Sequence, residues 1–156
     1  MARVMGNRIV AQYLRQRRYP TVDAEAIYQG DIMIKNSGAA TVSPSSKLTT
    51  MDAIADAFVG IAAQSKQANE VKDIMVGVDC VADLDLASAV SGTAGKVGDL
   101  VGAYVTGGAG VPQSITLGGT ASTDPIGKLA KAAAIGDTVA RVHCVGIDVR
   151  GPSVAD

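Results

Sequence analysis

Two neighbouring residues, His143 and Cys144, are of the types that form a nucleophile and its base. In thiol enzymes a histidine takes the proton of a cysteine and leaves a nucleophilic thiolate. Neighbouring side chains on a strand point to opposite faces, so this pair cannot meet directly if its apolar surroundings form a strand. The other cysteine, Cys80, can reach His143 only across strands. Because both cysteines lie in apolar runs, we predict buried, reduced thiols and no catalytic residues.

Three aspartates, Asp79, Asp83 and Asp85, alternate with apolar residues along positions 74–86. Carboxylate oxygens are the usual ligands of calcium, which takes six or more of them around one point. Ligands spaced by two along a strand instead spread along a line. We therefore predict a solvated acidic strand face and no metal site.

A glycine-rich stretch at 92–97, Gly-Thr-Ala-Gly-Lys-Val, resembles a phosphate-binding loop. It lacks the four-residue gap between the glycines and the serine or threonine after the lysine, and no helical pattern follows it. No Gly-x-Ser-x-Gly nucleophile motif occurs either. These motifs therefore predict neither an enzyme nor a cofactor.

The charge of the chain is divided between its first 22 residues and the remainder. Residues 1–22 contain five arginines and no acidic residue, so they carry +5 of a net charge of −1 and leave −6 on the rest. We predict a basic extended N-terminal arm at 1–22 and a single β-rich domain at 23–156. The arm is either a disordered terminus or a segment that becomes ordered on a partner. The residues predicted to contact that partner are Arg3, Arg8, Tyr13, Arg15, Arg17, Arg18 and Tyr19.

Three Gly-Asp pairs, at 30–31, 98–99 and 136–137, each precede a short apolar run. Glycine supplies the positive φ of a tight turn, and aspartate can hydrogen-bond the backbone beside it. Gly30, Asp31, Gly98, Asp99, Gly136 and Asp137 are therefore predicted as structural turns that open strands. We expect a hairpin around the first pair, between residues 26–28 and 32–34.

The remaining pattern predicts a mainly β, barrel-like compact domain with one or two short helices. Apolar residues at 51, 54, 55 and 58 share one helical face after Thr50, a suitable N-cap, and Phe58, the only phenylalanine, is predicted to anchor the core. Residues 125–135 fit either a helix beginning at proline or a strand, and the strand is favoured. The predicted strands are 39–42, 59–62, 74–86, 100–105, 113–117, 126–130 and 139–149, the last buried on both faces.

Two classes of partner are disfavoured by composition. No apolar run approaches the roughly 18 residues that a membrane-spanning helix needs, and no secretory signal is visible. Nucleic acid is also an unlikely ligand, since the basic arm contains no lysine and the body behind it is acidic.

Four short motifs occur in an order that resembles the capsid cement, or head decoration, proteins of tailed bacteriophages. They are Phe-Val-Gly-Ile-Ala at 58–62, Gly-Asp-Leu-Val at 98–101, Ile-Gly-Lys at 126–128 and the alanine run leading into Gly-Asp-Thr-Val at 132–142. The likeness covers roughly residues 27–145, but it leaves out the basic arm and the aspartate-rich strand.

This resemblance implies a β-tulip domain on the outer surface of an icosahedral phage head. Such a protein is made in the host cytoplasm and becomes part of the virion. It would form a homotrimer at threefold or quasi-threefold positions and bridge adjacent major capsid subunits, with no catalysis and no cofactor. Another β-rich virion or tail structural module, or a carbohydrate-binding module, remains an alternative, although aromatic residues make up only 3% of the chain.

Overall fold

The computed structural model describes residues 7–104, 113–117 and 125–150, without the side chains of residues 8–13 and 150. In these ranges the chain is mainly β, with a curled antiparallel sheet and two short helices, which confirms the predicted fold class. The elements are β1 (Arg8–Tyr19), β2 (Ile32–Lys35), β3 (Val42–Pro44), α1 (Met51–Ala57), β4 (Phe58–Ala62), β5 (Ile74–Asp85), β6 (Leu100–Tyr104), β7 (Ser114–Leu117), β8 (Gly127–Leu129), β9 (Val139–Val145) and α2 (Ile147–Arg150).

The described strands form one sheet in the order β3-β2-β4-β5-β9-β8-β6-β7, and β1 pairs with β5 outside this path. The twelve-residue β5 is the centre of the fold, since it pairs with β1, β4 and β9. Its burial alternates along most of its length, with the aspartates on the more exposed face, as the sequence pattern predicted. Cys80 and Cys144 are direct register partners on β5 and β9.

Residues 8–19 form β1, whereas the sequence analysis left them as a disordered or partner-ordered arm. The strand runs antiparallel to β5, with register shifts that mark irregular pairing. Arg8 and Arg15 lie opposite Asp83 and Asp79 in this register. Opposite charges facing each other across two strands favour pairing, so the basic arm and the acidic strand face, predicted separately, belong to one arrangement.

Two clusters of buried side chains flank the sheet. The central core holds Phe58, which is fully buried as predicted, together with apolar residues from both halves of the chain. The second core lies against the other face of β2, β4 and the first half of β5. Because β2 and β4 lie between the two cores, nearly all of their side chains are buried.

Helix α1 begins and β4 follows where the sequence predicted. The Thr50 hydroxyl accepts a hydrogen bond from the backbone N–H of Ala53, which is the geometry of an N-cap. The helix ends at Ala57, and Phe58 already belongs to β4. Residues 127–129 are a strand, so the favoured alternative for this region is confirmed.

Three local predictions were wrong. The strand predicted at 39–42 begins only at Val42 and ends at Pro44, as β3. The other two concern the segments around Gly30 and after Val145. No hairpin surrounds Gly30, because Ile27 forms a bridge with Lys66 while β2 pairs with β3 and β4. The last strand ends at Val145 with alternating burial, and α2 follows it. Both segments find distant partners, which local sequence patterns do not reveal.

The three Gly-Asp turns share one geometry. Gly30, Gly98 and Gly136 have φ values of 94°, 92° and 95°. In each turn the aspartate carboxylate accepts a hydrogen bond from the backbone N–H three residues earlier, at 2.8–2.9 Å. A fourth turn at 67–70 has the same pattern, with Asn69 at a φ of 66° and the Glu70 carboxylate as acceptor. Asparagine tolerates this conformation better than most side chains.

The fourth turn reveals that the chain contains one structural unit twice. The first unit comprises β2, β3, β4 and β5, and the second comprises β6, β7, β8 and β9. In both units the first strand pairs with the second and third, and the third pairs with the fourth.

The hydrogen bonds of the two units also correspond. The N–H of Gly30 donates to Ala62, whose N–H donates to Asp31; Gly98, Leu129 and Asp99 repeat this arrangement. The turns then join in pairs, through reciprocal bonds of Ile27 with Lys66 and of Gly95 with Ala133. The turns therefore connect strands within each unit at equivalent places.

Candidate functional site

Residues 14–18 of β1 are the candidate partner-binding surface, and we call them the basic ribbon. All five residues are exposed, and three of them are the predicted contact residues Arg15, Arg17 and Arg18. Side chains of a strand alternate between its faces, so five consecutive exposed residues mean that both faces are uncovered. Leu14 is 56% exposed. The ribbon thus offers three cations and one aliphatic side chain to a partner.

Tyr19, at the end of the same strand, is not presented to solvent. It is 6% exposed, and its hydroxyl donates to Asp148 Oδ2 at 2.6 Å. Burial, followed by the hydrogen bond to Asp148, raises the pKa of Tyr19 well above its usual value. The same hydrogen bond, assisted by Lys35, lowers the pKa of Asp148. Tyr19 therefore anchors β1 to the second core and α2 and does not act as a partner contact in this structure.

The other predicted contact residues are only partly described. Arg3 lies outside the described residues, and Arg8 and Tyr13 are described as backbone in β1 without their side chains. Their register partners are known: Arg8 pairs with Asp83 and Tyr13 with Cys80. The structure therefore joins the predicted set, from Arg8 onward, in one strand.

The acidic face of β5 is paired with two side chains of β9. His143 Nε2 lies 2.7 Å from Asp79 Oδ1, and Arg141 Nε donates to Asp83 Oδ1 at 3.1 Å. Such partly exposed pairs each contribute little stability. They nevertheless engage the aspartates considered above as a metal site and the histidine considered as a catalytic base. His143 faces Val81 across the strands and not Cys80, so this geometry forms no cysteine–histidine pair.

Both cysteines are free and fully buried. Burial, followed by the charge of Asp79, raises the pKa of Cys80 to about 12, and burial also raises the pKa of Cys144. A thiol with a raised pKa is protonated at neutral pH and is a poor nucleophile.

We therefore expect neither thiol to react with Ellman's reagent at pH 8 in the folded protein. Two thiols per chain should react once the protein is unfolded in guanidinium chloride. Rapid labelling without denaturant would contradict the buried positions of Cys80 and Cys144.

Other predicted features of the described residues are structural. The glycine-rich stretch at 92–97 leads into the turn at 96–99. In this turn the backbone N–H of Lys96 donates a hydrogen bond to the Asp99 carboxylate. In the described ranges no group of three or more histidine, cysteine, aspartate or glutamate residues is placed to hold a metal ion. No described helix is long and apolar enough to cross a membrane.

No protein-family model matches this chain, and no curated protein matches it. The family that the sequence motifs resemble therefore remains a prediction.

Proposed function

We propose that this chain is a structural virion protein that decorates the outside of an icosahedral phage head. It binds adjacent major capsid subunits and cements them, as a homotrimer at threefold or quasi-threefold positions. The proposal comes from the order of the sequence motifs. The structural observation that supports it best is the basic ribbon, an uncovered strand whose exposed charges are all positive.

The chemistry of the ribbon suits an acidic protein surface. Arginine presents a planar group that binds carboxylates with two parallel hydrogen bonds. The ribbon pairs with β5 from Arg15 to Arg18, so binding does not require ordering a free tail. Many copies of a modest contact over a shell then produce strong attachment.

The chemistry of the described body is compatible with a passive role. The two thiols are buried with raised pKa values, and the one histidine is paired with Asp79. A cement protein has only to resist deformation, and a single sheet with a core on each side of β2 and β4 suits that task.

The test uses purified protein and expanded phage heads that lack it, with bound protein measured by co-sedimentation. The variant carrying Arg15→Gln, Arg17→Gln and Arg18→Gln together is expected to bind at least about tenfold more weakly, which corresponds to about 1.4 kcal/mol. Its thermal stability should stay within about 1 kcal/mol of the wild type, because all three side chains are exposed.

The matched control removes three positive charges elsewhere, with Lys47→Gln, Lys72→Gln and Lys131→Gln, and should keep wild-type occupancy. Equal weakening by both variants would show that only net charge matters. No binding of the wild type to heads would contradict the proposed function itself. Substitution is preferable to deletion of the arm, since removing Tyr19 would also open the second core.

A further inference from the structure

The two repeated units differ in what covers their equivalent faces. In the first unit, Ile32, Phe58 and Ile61 are fully buried or nearly so in the central core. In the second unit, Leu100 and Lys128 hold the paired positions of Ile32 and Ile61. Pro125 stands two residues before Gly127, as Phe58 stands two residues before Gly60. Leu100 and Pro125 are only half-buried and Lys128 is exposed. This face, which we call the end face, is therefore open in the second unit.

The opposite faces show the reverse relation. Met33, Val59 and Ala62 of the first unit lie in the second core. Their counterparts Val101, Ile126 and Leu129 lie in the central core. One face of the first unit thus shares the central core with the opposite face of the second unit, as in a head-to-tail stack. A stack of this kind leaves one unmatched face at each end.

The two ends of this stack differ in whether other residues of the chain cover the unmatched face. At the first unit, Tyr19, Ile27 and Val149 cover the unmatched face and complete the second core. At the second unit, no described segment covers the end face. A hollow of about 310 Å³ remains there, lined by Leu100, Pro125, Lys128, His143 and Val145.

The charged groups beside the hollow do not prevent it from being covered. Asp79 is paired with His143 and Asp83 with Arg141 on this side of the sheet. Burying polar groups that already have a hydrogen-bond partner costs less than burying groups without one. The end face therefore combines an apolar hollow with hydrogen-bonded polar groups and one exposed cation, Lys128. Protein–protein interfaces likewise combine an apolar core with a polar rim.

The same unit carries an exposed aliphatic protrusion. Val97 and Ile135 are 66% and 62% exposed. They occupy the second positions of the turns at 96–99 and 134–137, which are held side by side by the bridge between Gly95 and Ala133. We call this pair the turn knob.

The turn itself does not require apolar residues at these positions. The equivalent residues of the first unit are Gln29 and Ala68, both exposed. Large aliphatic side chains left in water carry an unfavourable free energy of hydration that a partner can relieve. The turn knob is thus a second feature of this unit that lacks an apolar partner among the described residues.

We propose that the partner is a second copy of this chain, and that the turn knob of one copy packs into the end-face hollow of the next. The chain supplies both an apolar protrusion and an apolar hollow, on different parts of the same unit. Such a contact is heterologous, and repetition with a suitable rotation closes it into a ring. A ring of three rests on the proposed function, whereas the contact itself rests on the geometry above.

The first experiment measures molar mass by size-exclusion chromatography with light scattering, at tens of micromolar protein. The wild type should be trimeric. The variant with Val97→Gln and Ile135→Ala, which carries the residues of the first unit, should be monomeric with unchanged circular dichroism. The control Val71→Gln removes an aliphatic side chain that is 81% exposed elsewhere and should remain trimeric. A monomeric wild type, or a double variant that keeps the wild-type mass, would overturn the proposal.

The second experiment locates the contact by cross-linking two single variants, Val97→Cys and Leu100→Cys, with a short bismaleimide. A covalent dimer should form in the mixture far faster than in either variant alone. Cys80 and Cys144 are buried and contribute little background. Equal rates in the mixture and in the separate variants would overturn the knob-and-hollow contact.

Head binding separates this inference from the proposed function. Wild-type monomers that decorate heads would refute the ring and the homotrimer of the proposed function, and would leave only its head-binding part standing. Trimers that pass both experiments above but bind no heads would refute the function and leave the contact standing.

Discussion

Replacing Gly60 by alanine is expected to lower the free energy of unfolding by about 3–5 kcal/mol. Gly60 lies in β4 at a φ of 154°, where side chains are rarely accommodated. A methyl group there would overlap the carbonyl oxygen of Gly77 and lie 2.9 Å from Val76 Cγ1. Relief requires moving β4 away from β5, which would disturb both cores. Urea unfolding followed by circular dichroism measures the effect.

Gly92→Ala is the matched control, because Gly92 has a φ of 73° but open space around its Cα. It should cost only about 1–2 kcal/mol, the strain of the backbone conformation alone. Gly127→Ala tests the repeat, since Gly127 occupies the position of Gly60 and its methyl group would lie 2.5 Å from the carbonyl oxygen of His143. A Gly60→Ala protein as stable as Gly92→Ala would show that β4 and β5 are not so close.

Replacing Lys66 by methionine is expected to cost about 2–4 kcal/mol. The Lys66 side chain is buried, at 3% exposure, and its ammonium group donates to a set of backbone carbonyls. They belong to Val22, Asp23, Glu25 and Gln67, at distances of 2.7–3.3 Å. Methionine fills similar space but leaves these carbonyls without their donor. The segment 22–25 should then loosen, which hydrogen exchange and urea unfolding detect.

Lys72→Met provides the comparison for Lys66→Met. Lys72 also donates to a backbone carbonyl, that of Ser65 at 3.1 Å, but it is exposed and water can replace it. Its substitution should change stability by less than about 0.5 kcal/mol. If both variants have wild-type stability, water must reach the carbonyls around Lys66. The Lys66 ammonium group would then not be what holds segment 22–25 in place.

Local patterns were sufficient wherever neighbours in sequence decide the conformation. The positive φ of Gly98 follows from its own lack of a Cβ, and the N-cap at Thr50 follows from its hydroxyl and the helix beside it. The alternation along β5 reports its two faces directly. For this reason the turns, the helix and the main strands could be predicted from residues alone.

The repeat is not evident in the sequence, because the two units have the same backbone hydrogen bonds but different side chains at most equivalent positions. Asn69 and Glu70 stand where the other turns have glycine and aspartate, and the bridging positions hold Ile27, Lys66 and Gly95. Backbone pairing tolerates any of these residues. A search for Gly-Asp alone therefore finds three turns of four.

The sequence put the candidate contact residues on one segment but did not give their surroundings. Arg15, Arg17 and Arg18 are exposed, whereas Tyr19 is buried beside Asp148. Nothing in the order of residues shows that α2 returns to the end of β1, since 129 residues separate this tyrosine from its acceptor.

By itself, the sequence determined a mainly β chain with capped turns, a core built on Phe58 and a positively charged first segment. These properties depend on residue type, spacing and charge, which act over short range. Only the tertiary structure decided that the basic segment is a strand on β5, that Lys66 lies inside a set of carbonyls and that no described segment covers one end face. These depend on which distant segments pair, and that choice is made by the packing of the whole chain.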